Sequence, residues 1–547
     1  MRGHKTWTWA HGVLSALMLL GLLWWATDRP LPQRSADPPK RFKLPQGAAL
    51  LPDLPFTDTP LYQAYRARQL AQPQGLNQSP VYPVTSAHDG FAARVYLIRT
   101  AQRQLDLQYY IWNDDVVGRL LLELQQAARR GVRVRLLLDD NNTRELDALL
   151  VALSHTPNLN IRLYNPFRFR DLRTLNYVVD PRRLQRRMHG KSMTVDSTLS
   201  VLGGRNMADP YFRVNADFFF ADLDVLFDGD ATRQVQRNFD DFWNDGLAFP
   251  VQGFLRAPPR RQQQALHQLL TVHSQAQALP YIRSVEQSTL LQDWMDQDAP
   301  GDEANADAAL VQQSPYLVYD DPVKLHKALP FEQTIGARIL ALSGVARFSL
   351  DIVSPYFVPR QAGTEQLIRL AEQGVRIRIL TNSLASSDVP VIHSFYARRR
   401  LALVQAGIEL YEFKPSADSR PIQRWRIRER RGPLANGSLH AKAISWDRQM
   451  TYVGSMNLDP RSLLINSELG LMVPGEEAAA QVAAVFDGQI LRNAYRVEPN
   501  PDHPERLQWR DLDDDGRLRI QHQEPGVSAR KRWTAVLLGL LPIEFMM

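Results

Sequence analysis

Apolar residues in this chain fall in short runs flanked by polar stretches, and the runs come twice in the same order. RQLDLQYYIWNDD (103–115) reads as a strand, then a helix runs through AARRG (127–131) into the strand VRVRLLLDDNN (132–142). RFSLDIVSPYFVP (347–359), a helix through AEQG (371–374) and VRIRILTNS (375–383) repeat that pattern about 245 residues on. A run such as VRVRLLL is too continuous for a sheet wet on one face, so helices are expected on both faces. The predicted class is α/β, with two α-β-α sandwich domains related by internal duplication. Boundaries follow from the changes of pattern: domain 1 over 81–255, a linker with an acidic loop (DQDAPGDEANADAA) over 256–330, domain 2 over 331–505 and a tail with an apolar end over 506–547.

Ahead of the first domain the pattern is different. Arg2 and Lys5 precede a run from Trp7 to Ala26 that is long enough to span a hydrocarbon core. Bulky LLWWATD stands where a small-residue cleavage site would lie, so residues 1–28 read as a signal anchor rather than a cleaved leader. Basic residues flank both sides of the run, which leaves the side of the catalytic body undecided. Residues 29–80 are a Pro-rich linker or wrap. The terminal VLLGLLPIEF is too short to span; docking on the protein and dipping into an interface both stay open.

Inside the two repeats, RMHGKSMTV and SLHAKAISW read as strands that carry the same constellation: His189, Lys191, Asp196 and His440, Lys442, Asp447. Residue frequencies give about 0.02 chance copies of His-x-Lys-x-x-x-x-Asp, and here there are two, 251 residues apart. Counting on from each His, position +15 is Gly204 or Ser455, +17 is Asn206 or Asn457, and +28 is Asp217 or Glu468. Residues two apart on a strand share a face, so each His and Lys point together. Each Asp lies near the strand end, before a turn.

The chain has nine Lys against 56 Arg and places two of the nine here. A compact ammonium beside an imidazole suits a phosphoryl oxygen bound as a point charge, and Asn206 and Asn457 would donate to the same oxygens. Two His, two Lys and two Asn without a metal set fit phosphodiester exchange. One imidazole attacks phosphorus while the other protonates the leaving alkoxide and then activates the incoming alcohol or water. Asp217 and Glu468 would orient the imidazoles through their other nitrogens. The spacing alone does not break the symmetry between the two His.

The paired motifs, with GGRNMADPYF after the first and GSMNLDPRS after the second, resemble the phospholipase D superfamily over roughly residues 80 to 505. LDLQYYIW, FDDFWND, NSELG and the terminal LLGLLPIEFMM are similar to the cardiolipin synthases of its bacterial lipid-acting branch, type C among them. The resemblance implies two phospholipase D-like domains with one shared active site at their interface, and no cofactor. It makes His189 the nucleophile and His440 the general acid and base. It further implies a phosphatidyl transfer to phosphatidylglycerol at the bacterial inner membrane, with phosphatidylethanolamine as a donor and an accessory protein. The same residues would also serve a phospholipase D that hydrolyses phospholipid or nucleic acid, and a decayed scaffold is the third reading; both intact motifs argue against decay.

Composition narrows this further. The net charge of +7, with Arg clusters at 182–187, 398–400 and 424–431, favours polyanions. No nucleic-acid reading module accompanies the clusters, so an anionic membrane surface is the expected partner and nucleic acid is not. The absence of cysteine excludes disulfides and thiolate chemistry.

Overall fold

The computed structural model describes residues 56–71, 79–170, 172–214, 218–255, 311–416, 436–488, 490–513, 515–541 and 544. The N-terminal run, the acidic loop and the Arg cluster at 424–431 lie outside these residues. Among the described residues no helix is long and apolar enough to cross a membrane.

Ten strands build the first half: β1 (Ser79–Val84), β2 (Gln104–Tyr109), β3 (Arg133–Asp139), β4 (Leu159–Tyr164), β5 (Ser192–Val195), β6 (Leu199–Gly203), β7 (Phe218–Ala221), β8 (Asp224–Asp228), β9 (Ala248–Pro250) and β10 (Val311–Gln313). All but β7 form one sheet in the order β10-β1-β8-β6-β5-β2-β3-β4-β9, with β2, β3 and β4 parallel. The second half supplies β11 (Tyr316–Tyr319), β12 (Ser349–Val353), β13 (Arg376–Asn382), β14 (Glu409–Phe413), β15 (Asn436–Leu439), β16 (Ala443–Trp446), β17 (Met450–Gly454), β18 (Leu469–Pro474), β19 (Ala494–Pro499), β20 (Leu507–Leu512) and β21 (Leu518–Gln521). Its sheet runs β11-β18-β17-β16-β12-β13-β14-β19-β20-β21. Strand for strand, β1-β8-β6-β5-β2-β3-β4-β9 matches β11-β18-β17-β16-β12-β13-β14-β19, so the duplication read from the hydrophobic runs extends to eight strands of each sheet. β10 and β11 lie within 256–330, where the pattern suggested linker, and β20 and β21 lie within the 506–547 tail. β10 and β11 are short edge strands whose partners, β1 and β18, are far away in sequence, a contact that local periodicity does not report; β20 and β21 extend the second sheet beyond β19 by successive antiparallel pairing.

The repeats keep their local chemistry. Ser86 and Thr334 each cap the helix that follows, accepting from Asp89 N and Ala337 N. Helices Ala87–Thr100 and Leu120–Arg129 cover one face of the first sheet, and Ile335–Gly344 and Arg360–Glu372 do so for the second. Helices Asp230–Trp243 and Glu476–Asp487 lie on the other faces, but they do not cover them alone. Leu202, Val225 and Phe227 of one sheet join Val453, Leu469 and Leu471 of the other in a single apolar cluster. The expected two-faced helical cover is thus partly replaced by sheet packed on sheet.

The parallel core of each sheet also holds a buried arginine paired with a carboxylate of the neighbouring strand and with one of the covering helix. Arg135 of β3 grips Asp106 of β2 through Nε and Nη2 at 2.6 and 2.9 Å; Arg378 of β13 grips Asp351 of β12 at 2.6 Å through both. The pairs are directly opposite in register, and the guanidinium groups lie over Phe239 and Phe486 of the equivalent helices. At the C-terminus, helix Ala529–Gly539 docks on helix Pro390–Ala397 through Ala535 and Gly539, while Trp533, Val536, Leu537 and Leu540 stay exposed.

Asp106→Leu leaves the buried Arg135 only the half-buried Asp240, at 2.7 Å, as a partner, and should destabilise the protein by about 3 kcal/mol. Asp106→Leu with Arg135→Met should cost clearly less, as read from denaturant midpoints.

Candidate active site

The two halves meet along a third, two-stranded sheet in which β7 of the first pairs in parallel with β15 of the second. The regular strands β5 and β16 begin only after the motif lysines, at Ser192 and Ala443, whereas the pattern placed His and Lys within them. The reason is that the motif segments peel away from their own sheets toward the opposite half. His189 N donates to Ser467 O at 2.9 Å, and His440 N donates to Ala221 O at 2.7 Å.

The residue after each of those acceptors supplies a carboxylate. His189 Nδ1 lies 2.8 Å from Glu468 Oε2, and His440 Nδ1 lies 2.5 Å from Asp222 Oδ2. Each imidazole is therefore held by the half that does not carry it, and all four side chains are buried or nearly so. Asp217, the +28 counterpart of Glu468, lies outside the described residues; the carboxylate bound to His440 is Asp222, which counting missed. Between Asn206 and Asp222 the chain has five more residues than between Asn457 and Glu468. The strand register shows the equivalence instead: Gly204 N bonds Leu223 O just as Ser455 N bonds Leu469 O.

That register also explains Gly204. A Cβ there would sit 2.0 Å from Asp222 Oδ1, so the shorter aspartate reaches its imidazole only because the glycine lets it pass. At the second site Ser455 Oγ donates to Glu468 Oε2, and the longer side chain curls over it. Gly204 with Asp222 and Ser455 with Glu468 are two steric solutions to one task.

Lys191 Nζ donates to His189 O at 2.6 Å, and Lys442 Nζ donates to His440 O and lies 3.0 Å from His440 Nδ1. An ammonium has three donors, and its own motif's carbonyl takes one. Burial is the leading cause that pushes Lys191 down to about 7 and Lys442 down to about 8. Burial also drives His189 down to about 4, against the pull of Glu468, and lowers His440. Burial alone would raise Asp222, but the His440 contact outweighs it and keeps the carboxylate ionised.

Asn206 is tied at both ends, its Oδ1 accepting from Ile111 N and its Nδ2 donating to Tyr211 Oη. Asn457 Nδ2 faces Ser462 Oγ at 3.5 Å. In Asn206 the amide thus braces the wall of the site as well as facing it. Aromatic walls went unread in the sequence: Tyr110 meets His189 edge-on at 4.8 Å, and Tyr211 and Phe220 flank His440 at 5.1 and 5.0 Å. Tyr110 and Tyr211 sit in the LDLQYYIW and GGRNMADPYF stretches, where the strand pattern and the family resemblance were visible but not the pairing with an imidazole.

The motif aspartates bond backbone amides rather than the side chains of this cluster. Asp196 accepts from Gln102 N, Arg103 N and Gln104 N, and Asp447 from Arg347 N, Phe348 N and Ser349 N. Both open a hairpin turn with two successive left-handed residues, at φ 49° and 53° and at 50° and 55°, a conformation that Asp tolerates. Their task is to close the turn and fasten the start of the central strand.

With that geometry in hand, the relatives can be weighed. Residues 95–243 and 340–490 match the family described as "Cardiolipin synthase, PLD-like domain". Cardiolipin synthase C of Escherichia coli (strain K12) is 38% identical over 475 residues, 86% of this chain and 96% of that protein. The chain belongs to the phospholipase D-like cardiolipin synthases. Cardiolipin synthase A of Yersinia pseudotuberculosis is 23% identical over 80% of this chain and 74% of its own. Among solved structures, phosphatidylserine synthase of Haemophilus influenzae shares the fold, with a TM-score of 0.53 at 13% identity over 89% of this chain and all of that one. The two segments of the family match span β2 to β8 in the first half and β12 to β18 in the second.

Two substitutions separate the roles assigned here. Asp222→Asn should lower kcat by roughly 10²–10⁴-fold, as loss of an imidazole-orienting carboxylate does, and a larger loss in Asp217→Asn would restore the spacing-based assignment. Asp196→Ala should cost about 1–3 kcal/mol of stability, read from the denaturant midpoint, with kcat of the folded fraction kept.

Proposed function

We propose that the protein is a membrane-held phosphatidyltransferase that makes cardiolipin by moving a phosphatidyl group onto phosphatidylglycerol through a phosphohistidine. The observation that carries this is the reciprocal pairing of His189 with Glu468 and of His440 with Asp222 beside two buried lysines, in a chain that belongs to the cardiolipin synthases. Lys191 and Lys442 bind the non-bridging oxygens of the donor phosphodiester. That anion favours the protonated forms of the lysines and of His440, offsetting their burial. Neutral His189 attacks phosphorus through Nε2, and His440 gives its proton to the departing alkoxide. In the second half-reaction His440 takes the proton of the phosphatidylglycerol hydroxyl, whose oxygen displaces His189. Glu468 holds His189 in the tautomer with Nε2 free to attack, and Asp222 balances the imidazolium of His440. His189 as nucleophile follows the family pattern, and its pKa near 4, which leaves it unprotonated at neutral pH, supports the choice.

The N-terminal run from Trp7 to Ala26 would hold the site at the bacterial inner membrane, where donor and acceptor lipids reside. Transfer rather than hydrolysis then depends on shielding the phosphohistidine from water while a headgroup hydroxyl is held against it.

His189→Ala or His440→Ala should abolish turnover, and denaturant quenching at alkaline pH with labelled lipid should trap an acid-labile label on His189 alone. Label on both His would overturn the fixed roles. Membranes containing phosphatidylglycerol should yield cardiolipin as the main product, with phosphatidic acid minor; dominance of phosphatidic acid, with any native partner protein supplied, would make the enzyme a hydrolase. EDTA should leave activity intact, because paired Lys and Asn occupy the place of metal ions at the phosphoryl oxygens.

The pH dependence follows from the lysines. A lysine whose pKa is depressed carries its charge only below that pKa, so kcat/KM should fall as pH rises through the range from about 7 to about 8 set by Lys191 and Lys442. A profile flat to pH 10 would remove the lysines from the binding of the free substrate.

A further inference from the structure

Among the described residues, six of the 18 exposed large hydrophobic side chains fall between Phe169 and Val179: Phe169, Leu172, Leu175, Tyr177, Val178 and Val179. Four of them lie in the short helix Arg173–Val179. Exposed apolar residues that cluster in this way mark a contact surface, whereas scattered ones do not.

The segment is not loosely attached. Asn176, which is buried, accepts from Phe169 N and donates to Phe169 O, so it ties the turn to the helix. Arg173 donates to Asp140 O and Asn141 O, and Tyr177 Oη donates to Asn141 Oδ1. Asn141 Nδ2 in turn donates to Tyr110 Oη at 3.3 Å, and the Tyr110 ring lies against His189. The polar side of the segment is thus fixed to the wall of the site, two side chains from the nucleophile, while its apolar side faces out.

Charge narrows what that surface meets. Arg168 is exposed beside Phe169, Arg170, Arg173 and Arg183 nearby are partly buried in ion pairs with Asp140, Asp147 and Asp180, and the chain carries a net charge of +7. A protruding apolar edge with arginines around it suits the boundary between headgroups and acyl chains of an anionic bilayer.

We infer that Phe169–Val179 is a membrane-entering lip of the active site, inserted at the surface of an anionic bilayer so that a phosphodiester headgroup reaches His189 without crossing water. The inference rests on the reading of the site as one that acts on membrane phospholipid. Insertion sets how lipid reaches the site, and the chemistry at His189 and His440 does not depend on it.

The chain has no cysteine, so Val178→Cys and Leu518→Cys in the full-length protein each carry one thiol for an environment-sensitive fluorophore; Leu518 is exposed on β21, far along the second sheet. With vesicles of phosphatidylglycerol and phosphatidylethanolamine, the label at 178 should shift to the blue and be quenched by nitroxide-bearing acyl chains, and the label at 518 should not. No quenching at 178, or a shift that needs no lipid and grows with protein concentration, would overturn the lip in favour of a solvent-facing or self-associating surface. Equal quenching on phosphatidylcholine vesicles would overturn the anionic preference. Leu172→Asp with Val178→Asp should cut turnover of vesicle phosphatidylglycerol by about tenfold or more and change turnover of a monomeric short-chain analogue by less than about twofold. Equal losses on both substrates would make the segment part of the catalytic scaffold. The label reports lipid contact whichever product forms, so its result stands apart from the identity of the reaction.

Discussion

Everything in the site depends on each imidazole being held by a carboxylate from the other half of the chain. A single half has a histidine whose partner is missing and a carboxylate whose imidazole is missing. Burying either alone would leave an uncompensated polar group in a low-dielectric interface. Joining the halves satisfies both at once, which is why β7 pairs with β15 and why His189 N and His440 N bond to Ser467 and Ala221. Docking of the sheets and assembly of the site are the same event.

The same constraint accounts for the departure from symmetry. Two copies of one domain facing each other would give equal histidines. Here the first half presents a glycine and a short carboxylate to His440, and the second presents a serine and a long one to His189. The Asp222 contact is the shorter, and Lys442 lies close to the imidazole it accompanies. The two imidazoles thus sit in unlike surroundings, although burial lowers the pKa of both. The difference begins with one residue in the turn after β6 and β17, Gly204 against Ser455.

Charge is managed in the same spirit away from the site. Arg135 and Arg378 enter doubly buried strands as bidentate partners of Asp106 and Asp351, with Asp240 and Asp487 and aromatic rings of the covering helices beside them. These pairs tie the parallel core of each sheet together in register. They leave the motif lysines as the buried cations of the interface that a substrate anion can meet.

What the sequence by itself determined was whatever is periodic or repeated along the chain. Alternation and continuity of apolar residues located β2, β3, β12 and β13, the duplication followed from their recurrence, and the paired His and Lys were visible because they share one spacing. Each of these is a property of neighbours in the chain. The tertiary structure alone decided what depends on partners far apart: that Asp222 meets His440, that Asp196 and Asp447 accept from the backbone at the start of a neighbouring strand, and that Tyr110 and Tyr211 wall the imidazoles. Insertions of a few residues in a loop leave strand register untouched but shift every count made along the chain. A carboxylate and its imidazole find each other through hydrogen-bonded strands of opposite halves, 218 and 279 residues apart, and no local pattern encodes a contact of that length.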